Sequence, residues 1–199
     1  QYTVTSSPGN LTATTAGTSA DVTGLTNGTS YTFTVTATNS VGTGSASTAS
    51  SAITPVGVPG APTGVSATGG NTEADVSWTG PASNGGAAIT QYTVTSSPGN
   101  LTAQTSGTSA TVTGLTNGTS YTFTVTATNS IGTGSASGAS SAVVPATVPG
   151  TPTSVSATGG NAEADVSWTA PASNGGAAIT QYTVTSSPGS ISGTASGTS

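Results

Sequence analysis

The sequence predicts an all-β chain made of β-sandwich domains in tandem, and three observations carry that prediction. First, Tyr121 to Thr128 alternates Tyr, Phe, Val and Ala with four threonines. A strand sends successive side chains to opposite faces, so the apolar set packs on a core while the threonines meet water. Second, the chain repeats with a period of 90: residues 1–90 and 91–180 differ at thirteen positions, and a third copy starts at Gln181. That period is too long for a solenoid unit and suits one self-contained sandwich domain. Third, turn residues separate short alternating segments throughout, as a sandwich requires.

Seven strands are predicted in the complete copy. The first lies near Thr63 to Thr68. The second is Glu73 to Thr79, with Ala74, Val76 and Trp78 inward and Glu73, Asp75 and Ser77 outward. Asn84-Gly-Gly86 is a turn before the third strand, Ile89 to Ser96, on which Tyr92 and Val94 share a face. Ser97-Pro-Gly-Asn100 turns into a weak strand around Leu101 to Thr105, followed by Ser109 to Thr113. Leu115 to Ser120 connects to the Tyr121–Thr128 strand, and the last strand is expected over about Ser135 to Val144.

Pro55-Val-Gly-Val-Pro-Gly-Ala-Pro62 and Pro145-Ala-Thr-Val-Pro-Gly-Thr-Pro152 mark the connections between copies, because proline cannot donate to a strand ladder. They are short and stiffened by proline, so successive domains are expected in a semi-rigid row. The boundaries give a partial domain over 1–59 with the later strands, a complete domain over 60–147, and a partial domain over 148–199 with the first strands. A chain opening on Gln with no visible signal peptide is expected to be a segment of a longer protein.

Composition excludes whole classes of function. The chain has no Lys, Arg, His, Cys or Met, and its formal charges are Asp21, Glu73, Asp75, Glu163 and Asp165. Nucleic-acid binding draws on basic side chains to neutralise phosphates, so it is not expected. Attraction to an anionic membrane surface fails on the same ground. No run approaches the ~18 apolar residues of a membrane helix, so no membrane insertion is expected in this segment. A surface of hydroxyls and amides offers little electrostatic resistance to side-by-side packing.

Acid–base and nucleophilic catalysis usually needs His, Cys, Lys or a carboxylate pair in a pocket, and of these the chain has only carboxylates. Glu73 and Asp75 lie two apart on one outward face, as do Glu163 and Asp165. Such a pair could serve glycoside hydrolysis, or calcium binding with Asn71 nearby. A flat strand face offers no cleft, and two carboxylates are fewer oxygens than calcium takes. These residues are therefore read as solvated edge charges that discourage sheet pairing. Trp78 and Tyr121 could stack on sugars, but both fall on the inward register and are read as core. Asn27-Gly28 and Asn117-Gly118 could form a ligand loop; they are read as turn chemistry. Asn10-Leu-Thr12, Asn27-Gly-Thr29, Asn100-Leu-Thr102 and Asn117-Gly-Thr119 fit the N-glycosylation pattern, which arises easily in a chain rich in Asn and Thr. No residue is assigned a catalytic, cofactor-binding or metal role, and no cofactor is expected.

The complete copy resembles a fibronectin type III domain. The resemblance rests on the entry Pro59-Gly-Ala-Pro62, Trp78 on the second strand, Tyr92 on the third, and Leu115 six residues before Tyr121, repeated as Leu25 and Tyr31. It implies an immunoglobulin-like β-sandwich, and the Leu-to-Tyr spacing resembles that family's tyrosine corner, in which the hydroxyl bonds to upstream backbone. The integrin-binding Arg-Gly-Asp motif of some members cannot occur without Arg. Val-Ser-Ala-Thr-Gly-Gly and Ala-Thr-Asn-Ser-Val/Ile-Gly-Thr-Gly are similar to bacterial extracellular arrays. The expected function is a non-enzymatic repeat segment of an extracellular or cell-surface stalk, fibre or filament, with neighbouring copies of itself as partners. The alternative is adhesin or carbohydrate-binding spacer modules attached to a secreted enzyme, with surface glycans as partners.

Overall fold

The computed structural model describes residues 1–198, and within them the chain is all-β, with thirteen strands and no helix. The first copy contributes β1 (Tyr2–Ser7), β2 (Thr12–Thr15) and β3 (Thr32–Ala37), an antiparallel sheet in the order β2-β1-β3. The middle copy contributes β4 (Thr63–Gly69), β5 (Glu73–Thr79), β6 (Ile89–Ser97), β7 (Thr102–Thr105), β8 (Ser109–Thr113) and β9 (Thr122–Asn129). These form two three-stranded sheets, β4-β5-β8 and β7-β6-β9. The third copy contributes β10 (Thr153–Gly159), β11 (Ala164–Thr169), β12 (Tyr182–Thr185) and β13 (Ser192–Ala195), paired as β10-β11 and β12-β13.

The chain divides into two compact units. One holds Gln1–Thr63, Thr79–Tyr92 and Thr126–Ser137; the other holds Gly64–Trp78, Thr93–Val125 and Gly138–Ser199. The second contains most of the buried core. Ala74 and Val76 of β5 and Val112 of β8 are fully buried, as are Val94 of β6 and Phe123 and Val125 of β9, with Trp78 nearly so. These are the inward positions of the period-two pattern, and burying each large apolar side chain contributes about 1.5–3 kcal/mol. The first unit buries Tyr31, Tyr92, Ala127 and Asn129.

The predicted corner forms twice. The Thr116 N–H donates to the Tyr121 hydroxyl at 3.1 Å, and the Thr26 N–H donates to the Tyr31 hydroxyl at 3.0 Å. That Thr26 bond favours the phenolate and holds the Tyr31 hydroxyl below its ordinary pKa. Tyr121→Phe keeps the buried ring and removes the acceptor. It should cost about 0.5–1.5 kcal/mol, read as a lowered denaturation midpoint; an unchanged midpoint would remove the corner from the stability argument.

Two expectations are corrected. No regular strand spans Ser135 to Val144. The Tyr121–Val143 and Thr128–Thr133 bridges mark its ends, and Tyr121 itself sits just before β9. Between those bridges a serine holds the segment to β9: the Phe123 N–H donates to Ser140 Oγ at 3.1 Å and the Ser140 N–H to the Phe123 carbonyl at 2.9 Å. The first copy shows the pattern in full. Val35 pairs in this way with Ser47, and Phe33 with Ser50. The serines are three apart while their partners are two apart, so the segment cannot keep a β period. Gly, Ala and Ser have little β preference, and a Ser hydroxyl competes for backbone donors.

The second correction concerns Glu73 and Asp75. Strand β5 lies in the middle of its sheet, so these carboxylates guard no edge. Asp75 stands opposite Thr111 on β8 and accepts the Thr111 hydroxyl at 2.6 Å.

Candidate functional site at the junction between successive copies

The proline- and glycine-rich connections do not hang free. Each is tied by the same set of backbone bonds, and each set lies inside one compact unit. At the first junction the Gly57 N–H donates to the Gly85 carbonyl at 2.8 Å and the Gly60 N–H to the Ser83 carbonyl at 2.9 Å. The Gly28 N–H, from the loop before β3, donates to the Pro55 carbonyl at 2.9 Å. Ninety residues on, Thr147 N–H bonds the Gly175 carbonyl at 2.8 Å, Gly150 the Ser173 carbonyl at 2.9 Å, and Gly118 the Pro145 carbonyl at 2.9 Å.

Glycine is required here by close approach. Gly85 and Gly86 sit at φ +74° and +82°, where L side chains are strained. A Cβ on Gly85 would also collide with the Gly57 carbonyl oxygen, and one on Gly86 would lie 2.5 Å from the Gly28 nitrogen. Gly175 and Gly176 repeat both contacts, against Thr147 and Gly118. The turn is set locally: the Gly85 N–H bonds Ser83 Oγ and the Gly86 N–H bonds Asn84 Oδ1.

One side chain completes the first junction. Asn129, at the end of β9, is 4 % exposed. Its Nδ2 donates to the Gly57 carbonyl at 2.8 Å and to the Asn84 carbonyl at 2.9 Å. Its Oδ1 accepts the Ile131 and Gly132 N–H groups at 2.9 and 3.2 Å. All of its polar capacity is used, with the connection and the next turn held by one amide. Asn129→Ala should cost about 1–3 kcal/mol by leaving two carbonyls unpaired. Amide exchange at Gly57 and Gly60 should quicken; unchanged exchange would deny Asn129 this role.

The two junctions differ where Gly57 is replaced by Thr147, and the structure accounts for it. A Cβ at Gly57 would collide with Asn27 Nδ2. The matching Asn117 turns away: its Oδ1 accepts the Thr72 N–H at 2.9 Å and its Nδ2 donates to Asn71 Oδ1 at 2.8 Å. That leaves room for the threonine.

The residues weighed for chemistry fall elsewhere. Trp78 and Tyr121 are each 6 % exposed, so neither offers a ring face to a sugar. Gly28 and Gly118 adopt φ near +80°, which is turn chemistry, though their loop also reaches the following connection. Among the described residues no three His, Cys, Asp or Glu side chains come together, and the Asn71 oxygen proposed near calcium accepts from Asn117. The sequence reading missed Asn129. Its signal was the Asn-Ser-(Val/Ile)-Gly segment repeated at Asn39 and Asn129, which folds into the same side-chain-to-backbone turn in both copies.

The chain resembles several solved structures. The titin kinase with its flanking domains is 33% identical over 44% of this chain and 17% of that one, at a TM-score of 0.41. A crystal structure of a run of titin domains is 26% identical over 71% of this chain and 53% of that one, at 0.46. The twitchin kinase region from C. elegans is 26% identical over 45% and 17%, at 0.41. The chain thus spans about half or less of these three structures. No curated protein matches the sequence. The fibronectin type III domain model matches residues 1–53 and 60–143, well over half of the sequence. The chain belongs to the fibronectin type III family, in tandem copies.

Proposed function

We propose that this chain is a repeat segment of an extracellular or cell-surface stalk, fibre or filament, without catalytic activity, and that its partners are neighbouring copies of itself. One observation carries the reading: both connections make the same three backbone bonds, 90 residues apart, two to the same turn of the following copy and one from the same loop of the preceding copy. A spacer needs equivalent modules joined in an equivalent way. A binding protein needs one distinctive site, and the near-identity of the copies works against that. The sparse charge, five carboxylates and no base, would permit lateral packing of such arrays.

Electron microscopy of the natural protein tests this, together with protease shaving of intact cells to place it. Ordered rods or filaments of uniform width, removed by shaving, are expected. Separate strings of beads bending at every connection would overturn the stalk reading and move the function to domains outside this segment.

A further inference from the structure

Four Asn-x-Thr segments occur in the chain, and the structure separates them into two pairs. Asn27 and Asn117 lie in the junction loops. Asn117 uses both polar atoms of its amide on Asn71 and Thr72, while Asn27 is exposed, with its Nδ2 lying where a Cβ on Gly57 would sit. Their hydroxyl partners, Thr29 and Thr119, are half-buried. Asn10 and Asn100 are different. Each stands at the tip of a hairpin, between β1 and β2 or between β6 and β7, and each is exposed together with Thr12 or Thr102 two residues on.

The hairpin tip is closed without the asparagine side chain. Buried Ser96 accepts the Leu101 N–H on its Oγ at 3.0 Å, donates that hydroxyl to the Pro98 carbonyl at 3.1 Å, and gives its N–H to the Leu101 carbonyl at 2.9 Å. Ser6 does the same with Leu11 and Pro8. The third copy supplies the control. It has Ser190 at this position, at φ +50° against +49° for Asn10 and +51° for Asn100, and Ser186 makes the same bonds to Ile191 and Pro188. Asparagine suits that positive φ, but the turn forms with serine as well, so closing it does not use the asparagine carboxamide. What Asn10 and Asn100 add is a solvent-facing carboxamide two residues before an exposed threonine.

We propose that Asn10 and Asn100 are N-glycan acceptors, and that Asn27 and Asn117 are not, despite matching the same pattern. The co-reactant is a lipid-phosphate-linked oligosaccharide. The carboxamide nitrogen forms a C–N bond to the anomeric carbon, the anomeric C–O bond breaks with its electron pair leaving on the lipid phosphate, and the amide gives up a proton. This places a glycan at the same tip of the first two copies, 90 residues apart, and none at that tip of the third, on a surface nearly without charge. The inference rests on the surface location proposed above.

The test is peptide mapping of the natural protein by mass spectrometry, alongside the cell-shaving experiment. Hexose-containing mass additions are expected on the Asn10 and Asn100 peptides, none on those of Asn27, Asn117 or Ser190. Thr12→Ala and Thr102→Ala, which leave the asparagines and the serine-closed turns in place, should abolish them. Protein found at the surface with Asn10 and Asn100 unmodified would overturn this inference and leave the surface reading standing. Protein found inside the cell would overturn both. Modification at Asn27 or Asn117 would overturn the separation between the pairs.

Discussion

Trp78→Ala is expected to cost about 3–5 kcal/mol, the range for truncating a large aromatic in a core. Trp78 lies at the end of the β5 alternation after Ala74 and Val76, and its backbone N–H bonds the Thr108 carbonyl at 3.1 Å. The change removes the largest side chain of the sheet face shared with Val112. The neighbours cannot collapse into the void because β5 is fixed between β4 and β8 on both edges. Each kcal/mol shifts the midpoint of a domain this size by about 4–8 °C, so the middle copy should melt more than about 10 °C lower. Circular dichroism with amide exchange at Val76, Val94 and Phe123 reads the effect. Trp78→Phe keeps most of the buried volume and should lose much less. Equal losses for the two would mean that packing at this site is not what matters.

Gly85→Val should open the first junction while leaving the core of the middle copy intact. Valine at φ +74° carries backbone strain of about 1–3 kcal/mol, since a β-branched residue is least suited to that region. Its Cβ would also sit within 2.8 Å of the Gly57 carbonyl carbon, so the connection must move away. The bond from Gly57 to Gly85 is then lost, worth about 0.5–1.5 kcal/mol more. Local opening should appear as faster exchange at Gly57 and Gly60 and as new elastase cleavage between Pro55 and Pro62. Val94 and Phe123 should remain protected. Exchange unchanged at Gly57 would show that the clamp is not what holds the connection, and global melting would show that junction and core are one cooperative unit.

Much of the fold was legible in local pattern. Strands β5 and β8 match the predicted segments residue for residue, and the inward set on β5 and β9 is the buried set. Period-two alternation states which face is buried wherever a core face exists, and positive-φ glycines mark turns. Asn129 was not legible, because its partners at Gly57 and Asn84 are 72 and 45 residues away. Neither was the serine pairing to β9, because hydroxyls that replace ladder acceptors follow a three-residue spacing that no strand pattern describes.

The repeat makes the division between sequence and tertiary structure explicit. Residues 19–23 and 109–113 differ at one position, Asp21 against Thr111, yet only the latter form a strand. Strand β8 exists because β5 lies beside it, and the first copy in this chain has no counterpart of β5. Val125 is fully buried while its equivalent Val35 is 36 % exposed. Strand β6 runs nine residues beside β9, and its third-copy equivalent β12 only four, paired with β13 alone. The sequence by itself determined the period, the alternation, the turns and the positions able to face a core. Tertiary structure decided which of those positions became strand and which became buried. The physical reason is that a strand has no internal hydrogen bonds: its ladder and its dry face both come from segments distant in the chain.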